Sequence, residues 1–116
     1  MRRVVPNLRV AGEGKRRRNL EFYRLLGLEE AMNHGWIMTL VAPGNPTAQL
    51  SLATRDGTAP VVPDLSVEVD DVDAVYAAVR ATGAEIVHPL CDEEWGVRRF
   101  FVRDPDGRVV NVLGHH

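Results

Sequence analysis

The sequence predicts an α+β fold made of two βαβββ modules, and three observations carry that prediction. The chain contains a faint copy of itself: Pro6-Asn7-Leu8-Arg9-Val10 matches Pro63-Asp64-Leu65-Ser66-Val67 at an offset of 57, and Leu26-Gly27-Leu28-Glu29 matches Thr82-Gly83-Ala84-Glu85 at an offset of 56. Nearly equal offsets at two separate places indicate a duplicated unit. Each copy also shows the same order of patterns, with alternating apolar residues first, then a helical spacing, then three further strand-like runs. Finally, FFVRDPDGRVVNVL, residues 100–113, reads as two strands joined at Asp104-Pro105-Asp106-Gly107, with Pro and Gly where a type I turn wants them.

The elements follow in order. Residues 4–10 form the first strand, and the first helix ends at Leu20, Tyr23 and Leu26-Gly27. Strands over 28–33, 35–42 and 47–53 close the first module, about residues 1–55. The linker Thr54-Arg55-Asp56-Gly57-Thr58-Ala59-Pro60 is rich in turn formers. In the strand over 63–69, Leu65, Val67 and Val69 alternate with Asp64, Ser66 and Glu68. Asp71 to Thr82 follows as a helix with Val72, Val75, Tyr76 and Val79 on its apolar face. Strands over 85–91, 97–103 and 108–113 complete the second module, about residues 61–116. Gly27 and Gly83 stand at the helix C-caps. A unit of this size is marginal alone, so the two modules are expected to share one domain.

Composition narrows the function classes. With 45% hydrophobic and 26% charged residues the chain reads as an ordinary globular domain, and no apolar stretch is long enough to span a bilayer. A net charge of −2 argues against a nucleic-acid partner, and Lys15-Arg16-Arg17-Arg18 reads as the solvated start of a helix. Cys91 is the single cysteine; it excludes an internal disulfide, suits a cytoplasmic location and reads as an inert small core residue. His34 and His88 read as surface or partly packed residues, and the terminal His115 and His116 are not taken as ligands. The preference for Arg over Lys points to a bacterial source with a GC-rich genome.

Phe22-Tyr23-Arg24-Leu25-Leu26-Gly27-Leu28, Trp95-Gly96-Val97-Arg98-Arg99-Phe100 and Asp104-Pro105-Asp106-Gly107, in that order, resemble the vicinal oxygen chelate superfamily of glyoxalases, bleomycin-resistance proteins and dioxygenases. The resemblance covers essentially the whole chain. It implies two modules whose curled mixed sheets enclose a cavity, often completed by a second subunit, so a homodimer is expected. Metal-using members place a His, Gln or Glu in the first and last strands of each module. The matching positions here are Val5 or Asn7, Gln49, Asp64 and Asn111. Asn111 stands where the pattern after the DPDG turn ends in Glu. One carboxylate and two or three amides, with no histidine, are a poor set for zinc, nickel or iron, so no metal is expected there.

If Arg103 faces Arg108, Phe100 lies opposite Asn111 and Arg98 opposite Leu113; the corresponding register in the first module pairs Met38 with Gln49. Trp36, Met38, Gln49, Asp64, Trp95, Arg98, Phe100 and Asn111 then line the cavity. Aromatic walls with a few polar anchors suit a small aromatic or amphipathic molecule. An inward Arg98 needs a partner, either Asp64, Glu68 or an anionic ligand group. Asp64 is the sole candidate for a general base. The expected function is metal-free, resistance-type sequestration of a small molecule, with no membrane or nucleic-acid partner. The alternative is a divalent-metal-dependent lyase, isomerase or dioxygenase with an atypical ligand set.

Overall fold

The computed structural model describes residues 1–115. The element order is β1 (Arg3–Arg9), α1 (Glu13–Arg24), β2 (Glu29–Asn33), β3 (Ile37–Ala42), β4 (Asn45–Ala53), β5 (Leu65–Glu68), α2 (Val72–Ala81), β6 (Ile86–Asp92), β7 (Val97–Arg103) and β8 (Val109–His115). This is βαβββ twice, the α+β architecture expected from the repeat. The chain divides into two compact units, Val5–Val62 and Pro63 onward, with Met1–Val4 counted in the latter. Those first residues are held there by Arg3 to Glu68 at 2.7 Å and Arg2 to Asp70 at 2.8 Å.

The first unit contains a four-stranded mixed sheet in the order β2-β3-β4-β1, with β1 parallel to β4 and the other pairs antiparallel. Val10, Leu20, Met38, Leu40 and Leu52 form its core, with Leu8, Tyr23, Leu28 and Leu50 packed against them. The second unit repeats the scheme as β6-β7-β8-β5, with β5 parallel to β8. Its core joins Val72, Phe100, Val102 and Val112 to Val75, Tyr76 and Val79 of α2. Tyr76 meets Phe100 edge-on at 4.8 Å.

Local chemistry sets the helix ends. Asp71 caps α2 by accepting from the Ala74 N–H at 3.1 Å. Gly27 and Gly83 take φ of 97° and 80°, as the C-terminal position requires. Arg16 corrects the reading of the basic run: Lys15, Arg17 and Arg18 are exposed, but Arg16 is buried one turn before Leu20 and donates to the Gly35 carbonyl. Among the described residues, no helix is long and apolar enough to cross a membrane.

Two hairpins differ from the sequence register, and the differences move site residues. In the second unit Arg103 pairs with Val109, Phe101 with Asn111, Phe100 with Val112 and Arg98 with Gly114. The loop therefore spans Asp104–Arg108, one residue longer than a simple type I turn. Gly107 N–H closes the turn onto the Asp104 carbonyl at 3.0 Å, but Gly107 has φ of 91°. That left-handed glycine adds a bulge residue, Arg108, whose N–H is accepted by the Asp104 carboxylate at 2.9 Å. In the first unit Ala42 pairs with Asn45, the register then shifts, and Met38 pairs with Leu52 while Gln49 pairs with Val41. Pro46 lacks the N–H for a regular ladder there, and its carbonyl accepts from the Gln49 side chain instead, at 2.8 Å.

Candidate functional site

The one-residue shift turns Phe100 and Arg98 to the α2 side of the second sheet and brings Arg99, Phe101, Asn111 and Leu113 together on the other. Phe100 is a core residue against Tyr76. Arg98 reaches Asp73 at 2.9 Å and Asp92 at 3.2 Å, rather than Asp64 or Glu68. These two carboxylates raise the Arg98 pKa further and fix its charge, while the hydrogen bond from Arg98 holds Asp73 below the ordinary carboxylate range. Arg98 is thus an ion-pairing residue on the helix side, not an inward anchor. In the first unit, Met38 and Leu40 likewise belong to the helix-facing core, while Gln49 and Ser51 lie on the opposite face. Trp36 precedes β3, stacks on His34 at 6.4 Å and lies against Gly57.

The face away from α2 in the second unit carries an unusual set of polar groups. Arg99 is only 3% exposed and Asn111 only 7%. The Arg99 guanidinium lies 4.8 Å from the Phe101 ring centre and 5.1 Å from that of Trp95, on the loop between β6 and β7. Its Nε–H donates to Glu93 Oε1 at 3.1 Å. The same oxygen lies 3.1 Å from His88 Nε2 and 3.4 Å from Cys91 Sγ. Burial, followed by the hydrogen bond to Glu93, pushes the Cys91 thiol up, so it is protonated at neutral pH. His88 pairs with Phe101 across β6 and β7, and Cys91 pairs with Arg99, which is why the hairpin gathers these side chains.

Asn111 sits opposite Ser66 on one side and Phe101 on the other. Its Nδ2 donates to Ser66 Oγ at 3.1 Å. Its Oδ1 is fully buried and accepts no hydrogen bond from another protein group, the one such side-chain atom among the described residues. Native structures rarely leave a buried acceptor in this state. The apolar groove of about 940 Å³ lined by Val75, Val79 and Val102 lies on the helix side, away from these groups.

The positions matching the family's metal ligands offer one carboxylate beside amides, a poor donor set for zinc, nickel or iron. Val5 offers no donor. Asn7 is buried opposite Ser51, and the Gln49 Nε2–H donates to the Pro46 carbonyl. Asp64 is exposed and serves the strand start: its carboxylate accepts from Val109 N–H at 2.8 Å while its own N–H donates to the Val109 carbonyl. That engagement with the Val109 backbone gives Asp64 a structural task at the start of β5. The group that does offer mixed metal donors is elsewhere, at His88, Cys91 and Glu93, all within 4.8 Å of one another. In sequence Cys91 reads as an inert core residue and His88 as a surface or partly packed one, and the spacing His-x-x-Cys-x-Glu is the signal that joins them. Arg99 and Phe101 lie on this face because of the β7–β8 register, whereas Ser66 reaches Asn111 through the parallel pairing of β5 with β8. Trp95 was placed on its loop correctly, and His116 lies outside the described residues.

Comparison with known proteins agrees with the fold. The sequence model of the glyoxalase/bleomycin resistance protein/dioxygenase superfamily matches residues 14–112. No curated protein sequence matches the chain. Among solved structures, an NAD-dependent benzaldehyde dehydrogenase from Legionella pneumophila is similar over 97% of this chain and 99% of its own, with a TM-score of 0.74 at 18% identity. A superfamily member from Vibrio splendidus 12B01 matches over 97% of both chains, with a TM-score of 0.68 at 21% identity. Methylmalonyl-CoA epimerase from Mycobacterium tuberculosis matches over 96% of this chain and 85% of its own, with a TM-score of 0.67 at 21% identity. At these identities the likeness speaks for the fold alone. With two βαβββ units in the structure and the family's sequence pattern spanning both, the chain belongs to the glyoxalase/bleomycin resistance protein/dioxygenase superfamily.

Proposed function

We propose that this chain binds an aromatic or amphipathic small molecule carrying a hydrogen-bond donor, on the second module's sheet face away from α2, with no metal at the family's usual positions. The single observation that carries this reading is the buried, unpartnered Asn111 Oδ1. An unsatisfied buried acceptor costs about 1–3 kcal/mol, so a chain that retains one needs a reason. A ligand N–H or O–H would complete the amide, whose other end Ser66 already holds. Trp95, half-buried and stacked on Arg99, offers a flat surface of the kind aromatic ligands use, while the fully buried Phe101 backs the guanidinium from the core. The reading extends to sequestration without turnover by a cytoplasmic homodimer. In support, β2 is a sheet edge exposed along its whole length, available for pairing with a second copy.

The test is a thermal-shift panel of phenols and anilines, each run beside its O- or N-methylated counterpart, on the unmodified protein and on Asn111→Leu. At least one donor-bearing compound is expected to raise Tm in the unmodified protein, its methylated partner to do less, and the difference to vanish in the variant. Equal responses from donor and methylated compounds across the panel would refute the role given to Asn111.

A further inference from the structure

We infer a second site on the same module: His88, Cys91 and Glu93 form a three-donor cup for a thiophilic divalent cation, zinc being the best match. The donors come from three different residue types on β6 and the loop that follows it, separated by two residues and then one. An imidazole, a thiol and a carboxylate are the side chains zinc combines in its protein sites, and the thiolate disfavours magnesium and calcium. The cup is distinct from the positions where the superfamily's metal would sit, since it shares no residue with Asn7, Gln49, Asp64 or Asn111.

The spacing carries the inference. With bonds of about 2.0–2.1 Å to nitrogen or oxygen and about 2.3 Å to sulfur, tetrahedral zinc sets an N···O edge of roughly 3.3 Å and S···N or S···O edges of roughly 3.6 Å. The observed edges are 3.1 Å between His88 Nε2 and Glu93 Oε1, 3.4 Å between Cys91 Sγ and His88 Nε2, and 3.4 Å between Cys91 Sγ and Glu93 Oε1. Each falls within about 0.2 Å of its zinc value, so the ion enters with little rearrangement. The supporting shell is present as well. Arg99, held over Trp95 and Phe101, donates to the same Glu93 oxygen at 3.1 Å. A carboxylate has lone pairs for both a guanidinium and a metal, and ligating carboxylates are ordinarily oriented by such a bond. The His88 side chain is 13% exposed and that of Glu93 6%, which leaves the cup sheltered and still open to solvent through the histidine. Zinc binding displaces the Cys91 proton, releasing it to solvent as the Zn–S bond forms.

The test uses cobalt as a spectroscopic stand-in for zinc, on dialysed, tag-free protein. The expected result is one cobalt per chain with the near-ultraviolet thiolate-to-cobalt charge-transfer band, bleached when zinc is added. Cys91→Ser is expected to abolish the band and weaken zinc binding by more than roughly 100-fold, beyond what loss of an outer-shell partner does. His88→Gln is expected to weaken it comparably, and circular dichroism of both variants checks that they remain folded. A variant with His115→Ala and His116→Ala is expected to keep the band, as is Asn111→Leu, because neither removes a donor. Absence of the charge-transfer band in the unmodified protein would overturn the site and leave a purely hydrogen-bonded cluster. So would a zinc stoichiometry and affinity that Cys91→Ser leaves unchanged.

Discussion

Two side chains decide most of what can be said at the level of single residues. Asn111 is buried on a strand whose neighbours are Val110 and Val112, and it keeps an amide where a leucine would pack without a polar penalty. An amide keeps hydrogen-bonding capacity at this position without the charge that zinc or iron wants. Trp36 makes the opposite kind of statement. A Cβ added at Gly57 would lie 2.7 Å from its indole Nε1, so the linker glycine is there to let the ring lie flat. Gly57→Ala should therefore lower stability by about 1–3 kcal/mol, the usual range for overpacking. An urea midpoint unchanged from that of the parent would show that the indole swings aside freely.

At the scale of elements, α2 and its cap give the cleanest prediction. Asp71→Ala removes the acceptor for the Ala74 N–H and should cost about 1 kcal/mol, read as a lower thermal midpoint with native circular dichroism. The elements themselves were legible because each leaves a local pattern: the alternation around Leu65–Val69, the helical spacing of Val72, Val75, Tyr76 and Val79, the capping glycines. Strand register was not, because it depends on one backbone angle. A glycine ending a type I turn reads the same in sequence whether it closes a plain hairpin or adopts φ of 91° and inserts a bulge. That single residue exchanged Phe100 for Phe101 and Arg98 for Arg99 on the sheet face away from α2. The hairpin of the first unit hid its register for a different reason, the proline at the head of β4. The His88, Cys91 and Glu93 cluster became visible only once β6 and β7 were paired, since no one of these residues announces a site alone.

For the whole molecule, carboxylates held by arginines set the acid limit. The hydrogen bond from Arg98 holds Asp73 below its ordinary 3.8. At Asp104, desolvation works in the opposite direction, and the hydrogen bonds from Arg108 and Asp106 outweigh it, so its pKa is lowered as well. A folded-state pKa below the unfolded one contributes stability that is complete above the ordinary value and is lost as pH falls through the folded value. Unfolding should therefore become easier below about pH 4, and Asp73→Asn should flatten that part of the profile. A variant profile superimposable on the parent's would mean that Asp73 does not contribute to the acid limit. The duplicated architecture and family membership rest on features spread over the entire chain, which is why they could be read from sequence. The proposed function rests on a few side chains of one sheet face, and could not.

Whether that face is built for a ligand comes down to Asn111, and ligand-free urea unfolding of Asn111→Leu tests it most directly. Asn111→Leu removes one unsatisfied buried acceptor and also one hydrogen bond, to Ser66 Oγ, so the two effects oppose each other and the variant should stay within about 1 kcal/mol of the parent. A loss of more than about 1 kcal/mol would mean that the amide is already satisfied within the fold and that Asn111 is structural.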